Sequence, residues 1–480
     1  MSSVKKNYIY NLLYQIILIV TPIITAPYLA RVLGAENVGI YSFTYSIATY
    51  FIIAAVLGTG TYATREIAYC GDSRKKYSRT FWEIFGFRLL TTLAALIAYL
   101  CFCATATNYQ QYYLILAIEV FATIFDISWF FQGREDFKKI VIRNVIIRLA
   151  SIAAIFIFVR NPSDLFIYFL ITTSAILIGN ISLWFVIPKY VDRPNRKSLR
   201  IFSHTKGILQ VFAPQIATQI YNVLDRTMIG VIYSNKSEVG YYEQAQKIVH
   251  ILMTVVTAMG IVMVPRVASL HAKQDQKQIT KYLSQSFNLV FFLAYPIIFG
   301  LIAISSLFVP IFFGEGYDSV KTLIPLLSPI ILFIGISNVT GIQYLLAIRR
   351  QRDFTISVIA GAVANLIMNA ILIPPLGAFG AAIGTLVAEL TVVIVQTIFV
   401  RKQFNIPKII LSSWKFFLSS LVMFGACFGI SFLPLSPALI IGLQTFTGAV
   451  IYVIILLILR DTTILGIFNK AKAKLHAGKH

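Results

Sequence analysis

Four basic residues, Arg88, Arg148, Arg226 and Lys247, fall inside long apolar stretches, where charge is costly. Acids accompany them: Glu119, Asp126, Asp225, Glu243 and Glu389. A charged side chain at bilayer depth costs at least about 2.5 kcal/mol, so such groups face a cavity or a partner. Arginine carries a fork of N–H donors that matches the oxygens of a phosphate or carboxylate. The chemistry on offer is anion binding by Arg88, Arg148, Arg226 and Lys247, with Asp225, Asp126 and Glu389 as candidate coupling-cation or proton sites. The competing reading is helix pairing, or snorkelling of long side chains to the interface; it weighs most for Glu119 and for the i,i+4 pair Glu243–Lys247. Arg65 and Arg266, at the ends of two apolar stretches, could collect an anion at the membrane surface or simply anchor their helices.

Other chemistries find no residues. Cys70, Cys101, Cys103 and Cys427 form no CxxC pair, and the five His show no metal-ligand spacing. No phosphate-cradling Walker loop is present, which argues against ATP hydrolysis as a driving force. The expectation is a protein that is not an enzyme and carries neither metal nor cofactor.

The elements that position these charges are membrane helices. The chain is 58% hydrophobic and only 12% charged over 480 residues, with a mean hydropathy of +0.78. The apolar residues come in blocks of about 20, the length that crosses a hydrocarbon core. Fourteen spans are expected, near 8–30, 38–60, 81–103, 110–131, 141–160, 164–187, 207–232, 240–264, 286–309, 322–347, 354–373, 378–400, 414–433 and 437–459. Lys5 and Lys6 precede an apolar run too long for a cleaved signal, so the first span is retained. With both termini inside, cytoplasmic segments carry 33 of the 41 Lys and Arg, and outer loops carry only Arg31, Arg160, Lys236 and Lys321. That alternation obeys the positive-inside rule. It also explains the net charge of +22 without invoking nucleic acid. Arg88, Asp126 and Arg148 then lie roughly 10 Å in from the cytoplasmic side, while Asp225, Arg226, Glu243 and Lys247 lie roughly 5–10 Å below the outer surface.

The chain repeats itself. Val38-Gly39-x-Tyr41 falls on Val239-Gly240-x-Tyr242, and at the same offset Arg65 falls on Arg266. Further on, Asp136-Phe137 answers Asp353-Phe354. Six spans per copy is an even number, so both copies enter from one side, related by a pseudo-two-fold along the membrane normal. The expected architecture is all-α and polytopic, with lobes at 1–200 and 201–405 and two further helices plus a basic tail at 406–480. Lys189–Lys206 reads as the linker. Gly34, Gly39 and Gly240 read as turn glycines. Two facing lobes imply a central cavity and alternating access.

The stretches APYLARVLGAENVGIYSF, WFFQGREDF, LDRTMIG, VGYYEQAQKI and MVPRVASL resemble those of the Wzx-type polysaccharide-unit flippases, a branch of the multidrug/oligosaccharidyl-lipid/polysaccharide superfamily. The resemblance runs from about residue 5 to 405. It implies movement of an undecaprenyl-diphosphate-linked oligosaccharide across the bacterial cytoplasmic (inner) membrane, for capsule, O-antigen or exopolysaccharide assembly, with membrane lipids around it and a polysaccharide polymerase or other assembly proteins as partners. It also implies a cationic cavity and ion-gradient coupling. A diphosphate suits the basic residues: Arg88 and Arg148 low, then Arg226 and Lys247 high, would offer two stations, with Arg65 and Arg266 at the rim. Outward movement of an anion also runs down an inside-negative potential, worth about 2.3 kcal/mol per charge per 100 mV. Two rivals share the superfamily. A lipid-linked peptidoglycan precursor flippase fits the two extra helices; a cation-coupled multidrug antiporter would take cationic substrates, which this cavity repels. A membrane-embedded glycosyltransferase would want larger loops than the roughly twenty residues found here.

Overall fold

The structure is a computed structural model of the chain and describes residues 2–193, 199–461 and 464–465. The basic tail with His476 and His480 lies outside the described residues, as do the side chains of Lys5 and Lys6. Among the described residues every regular element is helical. Among the described residues ten helices are long and apolar enough to cross a membrane, or twelve if each of two bent pairs counts as one span. The chain is thus a multi-pass membrane protein. It falls into two compact units, Met1–Gly240 and Tyr241–His480.

The first unit begins with α1, Ser2–Val56, a single run broken only at Gly34, which takes φ 77° and ψ 170°. That conformation suits a residue without a Cβ. The two arms of α1 overlap the stretches 8–30 and 38–60, while Val20–Tyr69 reads as one candidate span by length and hydropathy. Gly39 and Gly240 are different from the expectation: both lie inside helices rather than turns. Their missing side chains serve packing. A Cβ on Gly39 would meet the Lys236 carbonyl oxygen at 1.7 Å, and one on Gly240 would meet the Ala35 oxygen at 2.1 Å. The two copies of the VGxY glycine therefore touch each other, Gly39 N lying 3.3 Å from the position of a Gly240 Cβ.

After α2 (Thr59–Tyr69) and α3 (Arg74–Thr105), the fourth expected span departs from a straight helix. α4 (Gln110–Ala122) stops, residues 123–125 form a tight turn, Asp126 is extended, and α5 (Ser128–Gly133) restarts. A break inside a bilayer frees carbonyls that need donors. Three side chains supply them: Asn180 Nδ2 to Ala122 O at 3.0 Å, Trp184 Nε1 to Phe125 O at 2.9 Å, and Trp129 Nε1 to Asp126 O at 3.0 Å. The break separates Glu119 on α4 from Asp126, which lies in the extended stretch before α5.

α6 (Phe137–Phe158) and α7 (Leu165–Ser182) form an antiparallel pair, and α6 packs on α1. Ile142, Ile146, Leu149, Phe156, Ile157 and Phe158 of α6 are exposed, as a lipid-facing helix requires. The described parts of the Lys189–Lys206 linker dock on α3. Trp82 Nε1 donates to Asp192 O, and Glu83 receives the Arg200 backbone N–H and the His204 ring. Residues 194–198 lie outside the described set. α8 (Thr205–Ile232) packs against α1 within the same unit.

The second unit holds most of α9 (Ser237–Thr257), then α10 (Met259–Ala272), α11 (Gln276–Phe313), α12 (Asp318–Leu327) and α13 (Ile330–Ser337), whose wider-turn continuation runs Asn338–Leu346. α14 (Gln351–Leu376) and α15 (Ala378–Val400) meet at Gly377 and pack along their length. Every fourth residue of α14 from Ser357 to Ile373 is buried. α16 (Ile406–Ser412) bends into α17 (Trp414–Ile430), which pairs with α18 (Pro437–Ile458); α18 rests on α11 through Tyr452 OH, which donates to Phe292 O at 2.8 Å.

Candidate functional site

Inside the first unit, α1, α6 and α7 enclose a cavity of about 540 Å³. α6 contributes Arg143, Asn144, Arg148 and Ser151 from one helical stripe, with Ile147, Ile152 and Ile155 between them. α1 contributes Thr21, Thr25, Tyr41 and Tyr45; α7 contributes Tyr168, Thr172 and Asn180. Among the described residues, two guanidiniums line the cavity and no carboxylate does.

The two arginines are held differently. Arg143 grips its neighbour, Nε and Nη2 reaching Asn144 Oδ1 at 2.9 and 2.6 Å, while Nη1 donates to Gly179 O at 3.3 Å. Arg148 donates through Nε to Thr21 Oγ1 at 3.0 Å. Thr21 in turn donates to Ile17 O at 2.7 Å, so its oxygen is free to accept. No described carboxylate lies within ion-pair distance of Arg148, and its terminal nitrogens have no described protein partner. An arginine on a membrane helix with no counter-charge among the described residues calls for a ligand. At the other end of the cavity Tyr41 stacks on Tyr45 at 5.7 Å and tilts against Tyr168 at 4.7 Å. Tyr45 donates to the buried Glu119 at 3.1 Å, which fixes its ring.

Arg88 and Asp126 are brought together, but outside this cavity. Arg88 Nη2 lies 3.3 Å from Asp126 Oδ2, with Arg88 only 2% exposed. Asp126 also accepts from the Ser128 N–H at 3.1 Å and from its hydroxyl, and it sits within electrostatic reach of Arg143 as well as Arg88. Arg88 Nε and Nη1 are buried with no hydrogen-bond partner among the described residues. Arg148, expected beside this pair, sits instead with Thr21.

The LDRTMIG motif is anchored on the second arm of α1. Thr227 Oγ1 lies 2.8 Å from Ser46 Oγ and 3.0 Å from Tyr50 OH, and Gly230 makes room for the Phe43 ring. Asp225 of this motif is buried and Arg226 is half-buried. Lys236, expected in an outer loop, is buried there and donates to Gly230 O and Tyr233 O, both at 2.6 Å, with its charge over the Phe43 ring at 4.8 Å. Burial pulls its ammonium below the usual lysine range.

In the second unit Lys247 pairs with Glu243 at 3.4 Å, as the i,i+4 spacing implies. Glu389 is buried on α15, in a unit that also buries Asn365, Asn369 and Thr385. Arg65 pairs with Glu66 at 3.3 Å over the Tyr62 ring, and Arg266 lies 4.0 Å from the Tyr282 ring and bonds its hydroxyl. Neither lines the cavity. Arg143, counted from sequence as a cytoplasmic loop charge, does.

Solved structures share the fold of this multi-pass helical protein. The lipid II flippase MurJ in an inward closed conformation superposes with a TM-score of 0.76 at 17% identity, covering 95% of this chain and 99% of that one. An inward-facing multidrug MATE transporter gives 0.64 at 14% identity, over 83% of this chain and 94% of the other. The model of the polysaccharide biosynthesis protein family matches residues 4–271, and the chain belongs to that family. Among relatives, a candidate O-antigen transporter of Escherichia coli (strain K12) is 28% identical over 84% of this chain and 97% of its own length. A candidate low-salt glycan biosynthesis flippase of Haloferax volcanii is 26% identical over 66% of each chain.

Proposed function

We propose that the protein is a flippase that moves a polyprenyl-diphosphate-linked oligosaccharide from the inner to the outer leaflet of a bacterial cytoplasmic membrane by alternating access. The observation that carries this reading is Arg148, which has no ion-pair partner among the described residues, in a cavity whose described lining offers guanidiniums and hydroxyls but no acid. Such a cavity repels cationic drugs and attracts phosphate. The likeness to a candidate O-antigen transporter over 84% of this chain supports the same substrate class. In this reading the chain crosses the membrane fourteen times with both termini inside, as two six-helix lobes (1–200 and 201–405) and two added helices. Arg148, Arg88, Arg226 and Lys247 would contact or polarise the substrate's path, Arg65 and Arg266 would serve its cytoplasmic mouth, and Asp225, Asp126 and Glu389 would take the coupling cation or proton. Assembly enzymes, a polymerase among them, would receive the product.

The fold likeness to the lipid II flippase favours a second reading, movement of a peptidoglycan precursor. Complementation separates them. The protein is expected to restore surface glycan to cells lacking their oligosaccharide flippase and to fail in cells depleted of the lipid II flippase. Rescue of only the second strain would reverse the assignment.

A further inference from the structure

We propose that the cavity between α1, α6 and α7 is a binding site for an anionic pyranose, with Arg148 and Arg143 holding the phosphate or carboxylate and Tyr168 and Tyr41 receiving the sugar ring. The inference deepens the glycan-transport reading and rests on it for the choice of ligand.

The cavity is polarised along its length. α6 and α7 are antiparallel, so Arg143 stands beside Gly179, as its bond to that carbonyl shows. Tyr168 stands eleven residues earlier on α7, toward the far end of α6. Between Arg143 and Ile155 the lined face of α6 runs about 18 Å. One end therefore presents guanidinium, the other stacked and tilted aromatic rings. A pyranose has an apolar C–H face that packs on a π face and a rim of hydroxyls that need partners. Thr25, Ser151 and Thr172 line the same cavity and supply them. At about 540 Å³ the space falls in the usual range for small-ligand pockets.

The alternatives fit less well. An acyl chain would strand the threonine, asparagine and arginine donors against hydrocarbon. A cationic amine would meet two positive charges and no lining acid. A bare phosphate would satisfy Arg148 yet leave the aromatic end without purpose. Arg143 is already oriented by Asn144 and Gly179, which makes it a rigid rim to the site, while the terminal nitrogens of Arg148 remain for the ligand.

The test uses the full chain in lipid nanodiscs, titrated by calorimetry with four probes: glucose 1-phosphate, glucuronate, glucose and inorganic phosphate. At least one of the two anionic sugars is expected to bind more tightly than both glucose and inorganic phosphate. Preference for glucose 1-phosphate would assign the charge to the lipid-linked phosphate end, preference for glucuronate to an acidic sugar within the glycan. R148Q is expected to weaken that binding by about tenfold or more, the loss of a charge-assisted contact, and R148K to retain part of it. Y168L is expected to weaken the sugar probe while Y168F, which keeps the ring, does not. Circular dichroism and size-exclusion profiles identify folded variants. Equal binding of neutral glucose, no binding of either anionic sugar, or unchanged binding in folded R148Q overturns the proposal. Translocation of a lipid-linked oligosaccharide that persists unchanged in R148Q would remove this site and leave the transport reading intact. Binding without any translocation by the native chain would do the reverse.

Discussion

Replacing Gly39 by Ala adds one carbon where the structure has no room for it. That carbon would stand 1.7 Å from the Lys236 oxygen and 2.6 Å from its carbonyl carbon, whereas ordinary contact begins at 3.4 Å. The two backbones must separate by about the difference, 1.7 Å, and the obstacle is main chain, which cannot rotate away. Overpacking costs about 1–3 kcal/mol where side chains can yield, so a backbone clash belongs at the upper end, about 3 kcal/mol. That is roughly a hundredfold in the folded-to-unfolded ratio. The assay is denaturant and thermal unfolding of the purified protein in detergent, followed by fluorescence-detected size exclusion. Gly300→Ala is the control: a Cβ there meets nothing within 4 Å on a continuous helix, and the change is expected to be neutral or stabilising. If Gly39→Ala unfolds with the native chain and Gly300→Ala does too, the close approach does not exist and the reasoning about the repeated glycine fails.

Three further outcomes follow from buried polar groups. Trp184→Phe keeps an aromatic ring, though a smaller one, and removes the donor to Phe125 O at the α4 break, and thermal unfolding should reveal a loss of about 1–3 kcal/mol. Asp126→Asn leaves Arg88 buried without its counter-charge, a loss of about 3 kcal/mol; adding Arg88→Met should recover most of it, and a double mutant no better than the single would show the pair is not coupled. Lys236→Met orphans the Gly230 and Tyr233 carbonyls and should lower stability by about 1–3 kcal/mol, checked by chemical denaturation.

The helical, membrane-spanning character was plain from composition, because blocks of about 20 apolar residues have few other uses. The duplicated VGxY pattern was also legible, though its meaning was not. Glycine in a sequence signals a turn or a close approach with equal force, and only the neighbour decides; Gly34 is the first and Gly39 the second. The α4 break was hidden because its three caps, Trp129, Asn180 and Trp184, come from two different parts of the chain. Of the site, Arg148 was found as a charge in an apolar run. Arg143 was missed since it lies near a helix end and was read as positive-inside loop charge. A signal existed: Arg143, Asn144, Arg148 and Ser151 make a polar stripe on one face of an otherwise apolar helix. The tyrosines of α1 and α7 carried none, being indistinguishable in sequence from interfacial aromatics.

The most direct test of the central claim is translocation by the purified protein in liposomes. A polyprenyl-diphosphate-linked oligosaccharide, placed in both leaflets, would be probed by an external glycosidase that cannot cross the bilayer. The account predicts that the protein moves the inner pool to the outer leaflet far faster than protein-free liposomes do, and faster than it moves lipid II. An inner pool that stays protected while the folded protein is present, or faster movement of lipid II, would contradict it.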